Sequence, residues 1–162
     1  MGSLRWLVVT FLCVTGCAYY SFHGTSIPPH IRRVEIPLAD DAALVYGLDE
    51  ELTDSLRALF GRRGLSVVGS DGDAHLQATI RQYREEAEEY RGARHDTEIS
   101  SYSIYVQVEV LFIDAVERDT LFSGMLHERG VYDAHSESEQ IGRSRAVELI
   151  SQNILDASFP GW

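Results

Sequence analysis

Apolar residues recur along this chain at two spacings, and the elements change where the spacing changes. Val34 and Ile36 alternate with Glu35 ahead of Pro37, which predicts a first strand over residues 33–38. Leu48, Leu52, Leu56, Leu59 and Phe60 then fall at helical spacing and predict a helix over residues 48–60. Asp49, Glu50 and Glu51 in its first turn and Arg62 and Arg63 past its end complement the helix dipole, and Gly61 or Gly64 can stop it. Residues 65–68 read as a short strand closed by the polar turn Gly69-Ser70-Asp71-Gly72-Asp73.

Three longer strands follow. Residues 74–90 alternate through Leu76, Ala78 and Ile80 before turning acidic at Glu85, Glu86, Glu88 and Glu89. Residues 101–114 alternate best, with Ile104, Val106, Val108, Val110 and Phe112 on one face and Tyr105, Gln107 and Glu109 on the other. Residues 120–132 form the third, with Leu121, Met125 and Val131 as its apolar members, and the charged stretch 114–119 makes the hairpin turn between the last two. Residues 137–157 return to helical spacing, with Ile141, Ala146, Leu149, Ile150 and Ile154 as the expected buried stripe. One-faced strands with a helix near each end imply an α/β (α+β) fold, a two-layer sandwich with a mixed β-sheet packed on two α-helices.

The start of the chain follows a different rule. Arg5 precedes a short apolar run from Trp6 to Val14, too short for a membrane-spanning helix but suited to a signal peptide. Val14-Thr15-Gly16-Cys17 then resembles a bacterial lipobox. We therefore expect residues 1–16 to be a lipoprotein signal peptide, Cys17 to be the lipid attachment site, residues 17–32 to be a lipidated arm and residues 33–162 to be the folded domain. Acyl chains on Cys17 would hold the protein to a membrane, and Ala18 after the cysteine, in place of Asp, suits the outer membrane and its periplasmic side. The paired Pro28 and Pro29 favour an extended arm.

Composition narrows the function further. The 162 residues carry 25 acidic and 14 basic side chains, a net charge of −11, and every basic residue is Arg. Without Lys there is no P-loop and no Schiff-base chemistry, and the acidic balance argues against nucleic acid as a partner. Cys17 is the one cysteine left after Cys13 departs with the signal, which rules out a disulfide within the mature chain. His23, His30, His75, His95, His127 and His135 show no metal-ligand spacing, so no metal or cofactor is expected. Asp71-Gly72-Asp73 lacks the later ligands of a calcium loop, and Ser136 beside His135 has no evident Asp partner. Arg81 and Arg84 could contact phosphate, but neighbouring acids offer them salt bridges. No enzyme is indicated.

Residues and order together resemble a known family. Gly16-Cys17-Ala18-Tyr19-Tyr20-Ser21-Phe22 and Pro28-Pro29-His30-Ile31 are similar to the start of LptE-type lipopolysaccharide-assembly lipoproteins. Val34-Glu35-Ile36-Pro37-Leu38, Leu52-Thr53-Asp54-Ser55-Leu56 and residues 73–80 fall in that family's order, with Ala78 where a glycine is common. The resemblance implies a plug and assembly factor for an LptD-type outer-membrane β-barrel, with lipopolysaccharide as a further ligand that no lysine here could contact. Partner contacts are expected from Arg81, Tyr83, Arg84 and Tyr105 on the strand face turned away from the helices. The alternatives are an interaction lipoprotein of another envelope complex and a periplasmic hydrolase, the latter requiring His and carboxylates to converge in a cleft.

Overall fold

The computed structural model describes residues 27–91 and 97–159. The expected signal peptide, Cys17 and most of the arm lie outside them. Eight elements run in order: β1 (Arg33–Glu35), β2 (Asp40–Asp41), α1 (Leu48–Arg62), β3 (Ser66–Val68), β4 (Ala74–Arg91), β5 (Thr97–Asp114), β6 (Asp119–Asp133) and α2 (Glu139–Ser158). The sheet order is β3-β1-β4-β5-β6, and β2 pairs with β4 farther along the edge that β1 occupies. β1 and β2 run parallel to their neighbours, whereas β4, β5 and β6 are antiparallel, so the sheet is mixed. Both helices contribute their apolar faces to one core with one face of the sheet, giving the expected two-layer α+β sandwich.

β1 ends at Glu35, short of the expected Leu38, because Pro37 has no N–H to give a ladder. Helix α1 ends in a Schellman arrangement. The Leu65 N–H donates to the Phe60 carbonyl at 3.2 Å and the Gly64 N–H to that of Gly61 at 3.0 Å, with Gly64 at φ +86°. Ile104, Val106, Val108, Val110 and Phe112 are all buried in one core with Leu52, Leu56, Ile150 and Ile154, as their shared period predicts. Phe112 meets Phe159 edge-on at 5.3 Å and Phe60 at 6.1 Å, so the end of α2 and the end of α1 close over the same strand.

Two expected apolar faces are corrected. In α2, Ile141 and Leu149 point outward at 40% and 48% exposure, and the buried stripe includes Gly142, Ala146, Val147, Ile150, Ser151, Ile154, Leu155 and Ser158. In β6, Leu121 packs on the core as expected, but Met125 is 48% exposed and Val131 lies on the open face, while Gly130 and Tyr132 are buried and Phe122 and Leu126 also pack on the core. One cause serves both corrections: α2 approaches β6 at backbone distance. A Cβ on Gly130 would lie 1.9 Å from the Gly142 carbonyl oxygen, and one on Gly142 would lie 2.6 Å from the Tyr132 ring. Small residues face inward here because larger ones have no room.

A β-bulge at Arg81 alters the alternation along β4. Before it, Ala74, Leu76, Ala78 and Ile80 face the core; after it, Tyr83 and Glu85 pair opposite Val106 and Ile104 and take over that face. The last residues of the arm join the domain. Ile31 is buried, its N–H closes a turn on Pro28, and the Asp73 carboxylate accepts from the backbone N–H groups of Arg32 and Arg33.

Candidate functional site

The sheet face opposite the helices is polar and largely paired with itself. Arg84 and Tyr105 are cross-strand partners on this face, the guanidinium lying 4.8 Å from the ring centroid. Arg84 also pairs with Glu86 at 2.9 Å, and Arg129 of β6 pairs with Glu88 at 3.1 Å. Arg81, left unpaired in the ladder by the bulge, reaches Glu109 with its Nε at 2.7 Å. Arg81, Arg84 and Tyr105 are thus brought to one face as expected, but both arginines are engaged by carboxylates of this chain and neither stands ready for a phosphate.

Tyr83 is separated from them. The bulge turns it to the helix side, where its hydroxyl donates to Glu139 at 2.7 Å at the start of α2. Burial, with the Glu139 carboxylate behind it, raises the Tyr83 phenol above its ordinary range. Beside it the Tyr132 hydroxyl donates to Glu85, which, with burial, pushes that phenol up to about 12. Tyr102 stacks on Tyr132 at 5.3 Å. The aliphatic core therefore gives way to a polar–aromatic cluster where α2 begins.

Three groups at the other end of the sheet could approach one ion: His30, Asp114 and Glu117. Asp114 is 1% exposed, and its Oδ1 already accepts the N–H groups of Val116 and Glu117 at 2.8 and 2.9 Å. Its Oδ2 meets His30 Nε2 at 2.5 Å, and His30 Nδ1 faces Glu117 at 3.7 Å. The two ring nitrogens thus address different carboxylates, a geometry that suits a clasp between the arm and the β5–β6 turn better than a metal. The hydrogen bond to Asp114 raises the His30 pKa above its ordinary 6.5. Burial pushes the Asp114 carboxyl up, but the N–H donors and His30 outweigh it, and the net shift is downward. Asp73 is a second clip, held down to about 2 by the Arg33 guanidinium and the two backbone donors.

A further surface, which hydropathy periodicity left unread, is the loop between β2 and α1. The Asp41 carboxylate accepts three backbone N–H groups, from Ala43 and Leu44 at 2.9 Å and from Val45 at 2.6 Å. Ala43 and Val45 pack on the core, while Leu44 and Tyr46 stand out at 88% and 99% exposure. Leu44 holds φ +59°, a left-handed conformation that costs an L-residue roughly 1–2 kcal/mol. The pair of aspartates at 40 and 41 followed by Gly47 is the sequence signal for this turn, but nothing in it announces the exposure.

Among the described residues no helix is long and apolar enough to cross a membrane. The fold recurs in solved structures at low identity. The PelC dodecamer from Paraburkholderia phytofirmans is 11% identical over 84% of this chain and 93% of that one, with a TM-score of 0.52. The hypothetical protein CT253 from Chlamydia trachomatis is 11% identical over 78% and 96%, also at 0.52. Protein XCC0632 from Xanthomonas campestris is 11% identical over 83% and 90%, at 0.51. At such identities the likeness concerns the fold alone. No curated protein matches the sequence. The family model described as LptE, lipopolysaccharide-assembly, matches residues 31–158, from the buried Ile31 at the foot of β1 to the last residue of α2. This chain belongs to the LptE family.

Proposed function

We propose that this chain is an outer-membrane lipoprotein, acylated at Cys17 and facing the periplasm, that acts as plug and assembly factor of an LptD-type β-barrel. The observation that carries this reading is the family match over residues 31–158, which takes in every element of the domain. A barrel wide enough to pass lipopolysaccharide leaves an aqueous lumen unless something fills it. A rigid domain with a self-paired polar sheet face suits such a lumen, whose own wall is polar and hydrated. The protein works by binding and not by catalysis. Acyl chains confine it to a surface and raise its effective concentration, but supply no partner specificity, which must come from the folded domain.

The test is affinity isolation of the full chain from detergent-solubilised outer membranes. An LptD-type barrel should co-purify, and depletion of the protein in cells should lower surface lipopolysaccharide. Cys17→Ser should release the protein from the membrane fraction or leave an uncleaved precursor. Recovery of the chain with a different envelope complex and no barrel would replace this reading with that of an interaction lipoprotein of that complex.

A further inference from the structure

The β2–α1 loop presents two large apolar side chains that the fold does not use. We infer that Leu44 and Tyr46 form a preformed knob that docks into an apolar socket with a basic rim on a protein partner; resting on the function proposed above, that partner is the barrel polypeptide.

Four features of the loop carry the inference. It is fixed at both ends and in the middle: Ala42 N–H donates to the Ile80 carbonyl at 3.0 Å, the Asp41 carboxylate gathers the next three N–H groups, and Leu48 N–H closes on the Val45 carbonyl at 3.1 Å. Because Ala43 and Val45 are turned inward onto the core, Leu44 and Tyr46 are turned outward, nearly free of contact. Leu44 occupies a left-handed conformation in which Asn or Gly is the easier choice, so folding explains neither its presence nor its exposure. Finally, the depression beside the two side chains is lined by Asp41, Asp49 and Glu50. An acidic rim around an apolar centre is complementary to a basic rim around a socket, and it is repelled by the anionic surface of a lipid leaflet. A partner therefore meets a rigid tyrosine and leucine already in place, with little ordering left to perform on binding.

The experiment co-expresses the full chain with the barrel of the same genome and measures affinity for the purified barrel in detergent. The test variant is Leu44→Asn with Tyr46→Ser, which removes the apolar surface while keeping a residue that tolerates the left-handed turn. Thermal unfolding of the variant should match wild type, and affinity should fall by at least ~30-fold, the loss typical of a hot spot. Asp49→Arg with Glu50→Arg, which reverses the rim, should weaken binding as well. Wild-type affinity in the Leu44→Asn, Tyr46→Ser variant overturns this inference alone, whereas a wild-type chain that fails to bind the barrel overturns the proposed function and this inference together. Hydrogen exchange supplies the remaining arm. Residues 43–48 should gain protection from the barrel and none from barrel-free phosphatidylglycerol nanodiscs, and equal protection by the nanodiscs would assign the loop to lipid and overturn the inference.

Discussion

Gly130→Ala is expected to be among the most damaging single-methyl additions this domain can receive. The new Cβ would sit 1.9 Å from the Gly142 carbonyl oxygen, 2.5 Å from the Ala146 nitrogen and 3.0 Å from Arg145 Cβ. A carbon and a carbonyl oxygen rest comfortably at about 3.3 Å, so strand and helix must part by roughly 1.4 Å. The two nearest atoms are backbone, and no rotamer change can relieve them. A radial gap of 0.5–1 Å already forfeits about a quarter to a half of each dispersion contact, and the side chains of α2 that share this seam include Ala146, Val147 and Ile150. Overpacking commonly costs about 1–3 kcal/mol; a clash of main chain with main chain belongs at the upper end, about 3 kcal/mol. For a domain of this size each kcal/mol lowers the midpoint by roughly 3–5 °C, which places the expected drop near ~10–15 °C. The assay is thermal or urea unfolding of residues 18–162 followed by circular dichroism. Gly69→Ala is the control, since nothing lies within 4 Å of its added methyl. In a strand, Ala is intrinsically better than Gly by ~0.5–1 kcal/mol, so without the close approach Gly130→Ala would raise the midpoint. A raised or unchanged midpoint would refute the packing argument.

Other substitutions test local physics in the same assay. Gly61→Ala, inside α1 with open space around it, should stabilise by about 0.5–1 kcal/mol, whereas Gly64→Ala, at φ +86°, should destabilise by about 1 kcal/mol; the same sign for both would contradict the Schellman assignment. The His30–Asp114 clasp should give a stability plateau between pH 3.8 and 6.5. His30, raised above 6.5, loses its contribution as pH climbs through its folded pKa, and Asp114, lowered from 3.8, loses its own as pH falls through its folded pKa. His30→Gln should abolish the decline above pH 6.5 in a series of midpoints against pH, and a decline of unchanged size would assign it to other groups.

The strong alternation of β5 and the leucine spacing of α1 were legible because each carries bulky side chains at every inward position, and bulk is what hydropathy detects. β6 and α2 were misread where they meet, because Gly130, Gly142 and Ser151 mark the buried side with small residues. Met125, Ile141 and Leu149, the conspicuous apolar residues nearby, lie on the exposed side. The candidate site was half visible for a different reason. Period-2 counting from Leu76, Ala78 and Ile80 places Arg81, Tyr83 and, on β5, Tyr105 on the open face, but counting cannot see a bulge: a single extra residue at Arg81 carries Tyr83 to the helix side and brings Arg84 out beside Tyr105. The Leu44–Tyr46 turn has no periodicity to read. Its geometry comes from one carboxylate gathering the next three N–H groups, a local contact that hydropathy does not register, on a strand that pairing with β4 holds in place.

The length of β4 and β5 turns the domain into a ruler. Each strand has 18 residues, about 60 Å at the usual rise, against roughly 22 Å for α1 and 30 Å for α2 at 15 and 20 residues. The sandwich therefore covers about half of the hairpin. The His30–Asp114 clasp fixes the incoming arm at the β5–β6 turn, the end of the ruler remote from the β4–β5 connection. The opposite end of the hairpin lies about 60 Å from this clasp, twice the ~30 Å depth of a bilayer's hydrocarbon core, so a single hairpin is long enough to run past the whole of that depth.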